Sequence, residues 1–141
     1  MHMTAVDWYK KIAPNKKKIM CFESASDYLN LSNGWLDFLF LYYDSGYIKT
    51  SNSVVGYKVN NLQKIDYVEV EGVLVTSPEQ TLFDLFKNKR NIQSSLIGML
   101  RYRDLYDSSL IKLKNFSEKR NFKIDWDEQL QRAILAYEDY E

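Results

Sequence analysis

The chain has 141 residues, with 19 basic and 19 acidic side chains and therefore no net charge, and it is 45% apolar and 15% aromatic. A chain of this size hides roughly two-thirds of its unfolded surface, so these contents suit one domain with its own core and argue against disorder. Five Gly and two Pro are too few for a loop-dominated sandwich, and no apolar run reaches the roughly 18 residues of a membrane span.

The first 20 residues are mixed and run into Lys16-Lys17-Lys18, unlike a secretory leader. Cys21 has no second cysteine to pair with. A cytoplasmic protein with no membrane partner is therefore expected. One Cys and one His, His2, are too few for a Cys/His zinc site or for a packed nucleophile and base. Met1-His2-Met3 reads as a cloning scar ahead of an authentic Met3, which would leave no natural histidine. The expectation is a non-enzyme, with no catalytic residue, no cofactor and no metal.

The neutral sum conceals blocks. Residues 1–18 carry +4, 19–65 carry −1, 66–86 carry −5, 87–123 carry +7 and 124–141 carry −5. Such alternation is either a dipolar surface for a charged partner or a set of acidic and basic helices lying against each other.

In chain order, Thr4 caps a short amphipathic helix that reaches Ile12 and stops at Pro14-Asn15. Ile19 to Phe22 is a brief apolar run. Ser24, three residues before Asp27, is placed to cap a helix over Ala25 to Leu31, closed by Asn33-Gly34. Phe38 to Tyr43, the turn Asp44-Ser45-Gly46 and Tyr47 to Thr50 read as a hairpin, followed by a strand over Val54 to Val59. Ile65 to Thr76 reads as two short strands joined at Glu71-Gly72 or as one strand with a bulge there.

A helix then opens with Ser77 as cap, Pro78 at its first position and Gln80 three after the cap. It buries Leu82, Phe83, Leu85 and Phe86 and ends near Asn88. Three further helices are expected: one marked by Ile92, Leu96, Met99 and Leu100, one over Leu105 to Phe116, and one from Ile124 or Asp125 to Tyr140. The whole is an α+β plan in a single domain over 1–141, with a small, mainly antiparallel sheet flanked by short helices and a helical C-terminal half.

Val73 to Phe86, reading VLVTSPEQTLFDLF, closely resembles the strand-to-helix signature of AbiEi-type antitoxins of type IV toxin-antitoxin and abortive-infection systems. That signature runs valine, threonine, a small residue, proline, glutamate, arginine, threonine and a leucine-rich stretch with an aspartate. Ser24 to Leu31 is similar to the family's upstream helix. The likeness covers roughly residues 19–90. Gln80 stands where the family usually has arginine, and Asn30 where it often has histidine or glycine. About 20 residues precede the likeness, against roughly 60 for the winged helix that family members carry there. The resemblance therefore implies the antitoxin domain alone, acting on a cognate toxin of the nucleotidyltransferase type or another protein partner.

The motif residues Thr76, Ser77, Pro78, Glu79, Thr81 and Asp84 have a structural explanation of their own: cap, helix-start proline, first-turn carboxylate, and hydroxyl or carboxylate bonds to the preceding strand. Phosphate binding at the same helix start is opposed by Glu79. The basic run Lys87, Lys89, Arg90, Arg101, Arg103, Lys112, Lys114, Lys119, Arg120 and Lys123 interleaves Tyr102, Tyr106, Phe116 and Phe122. It is either a contact surface for nucleic acid or a partner, or a set of solvated helix faces. Alternatives to the toxin-neutralising reading are thus a small nucleic-acid-binding regulator and a phage-borne inhibitor of a bacterial defence system. Asp125, Asp127 and Glu128 are read as helix-start acids rather than metal ligands. Tyr42, Tyr43, Tyr47 and Tyr57 are read as an aromatic interaction face or as sheet packing.

Overall fold

A computed structural model describes residues 4–15, 17–32, 38–46 and 53–138. The elements are α1 (Ala5–Ile12), β1 (Ile19–Met20), α2 (Phe22–Tyr28), β2 (Leu39–Tyr43), β3 (Val54–Lys58), a 3₁₀ turn (Leu62–Lys64), β4 (Tyr67–Val70), β5 (Val73–Thr76), α3 (Pro78–Lys87), α4 (Ile92–Leu105), α5 (Ile111–Lys119) and α6 (Trp126–Tyr137). The α+β class and the helical C-terminal half hold. No helix among the described residues is long and apolar enough to cross a membrane.

The sheet corrects the expectation of a mainly antiparallel arrangement. Its order is β3-β2-β1-β5-β4. The β1–β2 and β4–β5 pairs are antiparallel, whereas β1–β5 and β2–β3 are parallel, so the sheet is mixed. The difference lies in the connections. Glu71 and Gly72 take φ of 54° and 80°, the left-handed pair of a two-residue hairpin whose twist suits antiparallel strands. Strand β3, separated from the end of β2 by ten residues, instead runs alongside β2 in the same direction, which a tight two-residue turn cannot give. Tyr47 to Thr50, the predicted return strand of the earlier hairpin, lies outside the described residues.

The central position of β1 explains why its two residues are fully buried. Period-2 alternation sends Met20, Leu39 and Leu41 into a large core beneath Leu82, Leu96, Met99, Leu100, Leu113 and Trp126. Ile19 and Tyr42 enter a smaller cluster with Cys21, Phe22 and Leu85. Helix α4 packs closely enough that a Cβ on Gly98 would stand 3.0 Å from Leu82 Cδ2. A hydrogen at this position is what lets α3 and α4 approach.

Two helix boundaries also differ. Helix α2 starts at Phe22 with Cys21 at the cap position and no side-chain cap. Ser24 lies within it and ties β2 instead: its Oγ donates to Phe38 O at 2.7 Å and accepts from Phe40 N at 2.9 Å. The predicted helix over Leu105 to Phe116 is divided, because Leu105 ends α4 and α5 begins at Ile111. Asp107 makes the break by accepting from Ser109 N at 3.2 Å and Lys112 N at 3.0 Å, while buried Leu110 turns left-handed at φ 62°. Apolar spacing runs through both helices, so periodicity alone does not show this stop. Helix α6 is capped by Asp125, whose Oδ1 accepts from Glu128 N at 3.0 Å. The predicted end at Tyr140 lies outside the described residues.

Candidate functional site

The segment over Thr76 to Asp84 forms one hydrogen-bonded clamp at the β5–α3 corner. Ser77 caps α3 by accepting from Gln80 N at 3.1 Å, and the same hydroxyl donates to Asp66 Oδ2 at 2.6 Å. Gln80 does not complete a capping box. The Ser77 N–H goes to Asp66 O at 3.0 Å, which frees the Gln80 amide to accept from Asp66 N at 3.1 Å and donate to Asp84 Oδ1 at 2.9 Å. Tyr42, reaching across from β2, donates to Asp84 Oδ2 at 2.9 Å. Thr81 Oγ1 lies 2.7 Å from Thr76 Oγ1 and 2.8 Å from Ser77 O, which fixes the strand end on the helix. Pro78 occupies the first turn, where no N–H is required. Glu79 accepts from Tyr102 on α4 at 2.6 Å. The buried amide at position 80 thus serves two partners, a task for which a glutamine has the right donor and acceptor.

Burial sets the electrostatics of the clamp. It pushes the Asp84 carboxyl up to about 6, against the opposing pull of the Gln80 and Tyr42 bonds and of the Lys87 and Arg120 charges. Tyr42 is raised well above the usual phenol range, first by burial and then by the Asp84 charge. Cys21, wholly buried beside them, is raised by burial and again by Asp84, so its thiol stays protonated.

The basic run is dispersed over the fold and does not form a single patch. Arg90 belongs to the sheet: it pairs with Glu23 at 2.9 Å, donates to Tyr57 OH at 2.8 Å, and lies 4.2 Å and 4.9 Å from the Phe22 and Phe40 ring centroids. These contacts hold Phe22 at a left-handed φ of 52°, a conformation that costs a bulky residue on the order of 1 kcal/mol or more. Arg101 donates to Asn30 O at 3.4 Å, and Arg103 pairs with Asp104 at 2.8 Å and with Glu138 at 3.2 Å. Lys114 pairs with Asp127 on α6 at 2.9 Å. Lys87 and Lys89 are exposed at the end of α3, with Lys87 Nζ 5.3 Å from the Phe83 ring centroid. Lys123 is likewise exposed, beyond the end of α5.

Three bases remain together. Lys112, Lys119 and Arg120 line a cleft of about 380 Å³ with Asn115 and Phe116, facing Asp66 and Glu79 from the clamp. Residues 112, 115, 116 and 119 recur at intervals of three and four, so one face of α5 supplies that wall. Arg120 is fixed in advance: its Cζ lies 3.4 Å over the Phe116 ring centroid and its Nη1 donates to Phe116 O at 3.1 Å. Sequence reading selected these three bases without separating them from the other seven. Asp66 and Asn115 were not among them: the α5 spacing gives a signal for Asn115, whereas nothing local to Asp66 marks it. The tyrosines do not form one outward face. Tyr42 turns into the clamp and Tyr57 into the Arg90 cage, while Tyr47 lies outside the described residues. The sequence matches no protein-family model and no curated protein.

Proposed function

We propose that this chain is a non-enzymatic, cytoplasmic, antitoxin-like protein that neutralises a bacterial toxin of the nucleotidyltransferase type. The resemblance of Val73–Phe86 and Ser24–Leu31 to AbiEi-type antitoxins supports the reading. The observation that carries it is the inward commitment of the signature. Thr76, Ser77, Glu79, Thr81 and Asp84 all bond within the chain, so the motif acts as scaffold for the surrounding surface.

The test is co-expression with the candidate toxin encoded beside it. Growth is expected to be restored. Continued toxicity with confirmed soluble expression overturns the proposal. Failure of rescue together with steeply salt-dependent retention of duplex DNA or tRNA would mark a nucleic-acid-binding regulator instead. Failure of rescue with a prophage location and no adjacent toxin gene would mark an inhibitor of a bacterial defence system.

A further inference from the structure

The cleft between the clamp and α5 is polarised. One wall presents Lys112, Lys119 and Arg120; the other presents the carboxylates of Asp66 and Glu79. Among the described residues none of the three cations has an ion-pair partner, in contrast to Arg90, Arg103 and Lys114. A ligand complementary to both walls carries an anionic group at one end and N–H donors at the other. At about 380 Å³ the cleft falls near the lower end of small-molecule sites, which run from roughly 300 to 1,000 Å³.

The arginine narrows the chemistry further. Its inner face is covered by the Phe116 ring, while the residue itself is exposed, so the outer face of the guanidinium is available to a planar group. Nucleobases stack on arginine planes in this way, and carboxylates read the exocyclic amino groups of bases. Lysines on the same wall suit a phosphate. An acidic peptide would satisfy the cations but would leave Asp66 and Glu79 facing like charge. A continuous nucleic-acid backbone would have its phosphates repelled by the same two residues.

We propose that this cleft binds a single nucleotide, with its phosphate held by Lys112 and Lys119, its base stacked on Arg120, and the base's amino group directed to Asp66 and Glu79. The nucleotide is either free or the phosphorylated 5′ end of a strand. The site stands independently of the toxin partner.

Calorimetric titration of the full chain at low salt tests it, using CMP, AMP, UMP and inorganic phosphate as probes. CMP and AMP should bind, UMP should bind about tenfold more weakly for lack of an amino group, and phosphate should bind more weakly than any nucleotide. The double variant Lys112→Ala/Lys119→Ala should lose about tenfold or more in CMP affinity while keeping its circular dichroism spectrum. Glu79→Gln should narrow the CMP-to-UMP ratio. Arg132→Ala, on the outer face of α6, should change nothing. A trinucleotide that binds better than CMP only when 5′-phosphorylated identifies a strand end; one that does not identifies the free nucleotide. No binding by the folded protein at millimolar nucleotide overturns the proposal. So does phosphate binding as tightly as CMP, equal binding of CMP and UMP, or indifference to the lysine substitutions.

Discussion

The β5–α3 corner and the basic stretch that follows it use polar side chains in opposite ways. At the corner, seven polar residues from four parts of the chain close on each other: Tyr42, Asp66, Thr76, Ser77, Gln80, Thr81 and Asp84. Six of them are buried, and a buried hydrogen bond is expensive to leave half made. In the stretch over 87–123, by contrast, most charges sit at the surface, where an ion pair contributes little. A conspicuous motif can therefore be architecture, while the less regular charge run holds the open surface. The two acidic blocks also divide. The last one neutralises part of the basic stretch through Glu138 with Arg103 and Asp127 with Lys114, whereas the earlier one faces Lys112, Lys119 and Arg120 across an open cleft.

The sharpest way to break this contrast is Asp84→Ala. It strands the Tyr42 hydroxyl and the Gln80 amide in the core, and a loss of about 3 kcal/mol in urea unfolding is expected. A loss near zero would move the clamp's stability elsewhere.

The pH dependence of stability gives an effect of similar size. The folded-state value of Asp84 is raised from 3.8 to about 6, so between those limits the folded chain holds more proton than the unfolded one. Stability from this group is full below pH 4 and declines as pH rises through 6, by roughly 2–3 kcal/mol across that window. Asp84→Asn should remove that slope, which unfolding measured at pH 4 through 7 would show.

Arg90→Ala should cost about 2 kcal/mol, because it removes a half-buried ion pair, a hydrogen bond and ring contacts at once. Arg90→Lys should recover only part of this, since a lysine does not reproduce the planar fork. If Arg90→Ala leaves the unfolding midpoint unchanged, the arginine is not structural and returns to the set of surface bases.

Local features of this fold are legible where the physics is local. Ser77, Pro78, Asp125 and Thr4 mark helix starts through caps that need only three or four neighbouring residues. The Glu71-Gly72 hairpin is legible for the same reason. Strand order is not, because β1 meets β5 across more than fifty residues of intervening chain, and no turn signal encodes that pairing. Ser24 misleads because a hydroxyl near a helix start bonds a neighbouring strand as readily as its own backbone. The cleft is hidden because Asp66 and Lys112 lie far apart in sequence and meet only when α5 packs beside α3.

Two double-mutant cycles, read by urea unfolding at pH 7, compare the buried clamp with a surface ion pair. One pairs Tyr42→Phe with Asp84→Asn in the clamp; the other pairs Lys114→Ala with Asp127→Ala on the surface. A coupling of about 1–3 kcal/mol is expected for the first pair and less than about 0.5 kcal/mol for the second. Equal couplings, or a larger one at the surface, would contradict that expectation.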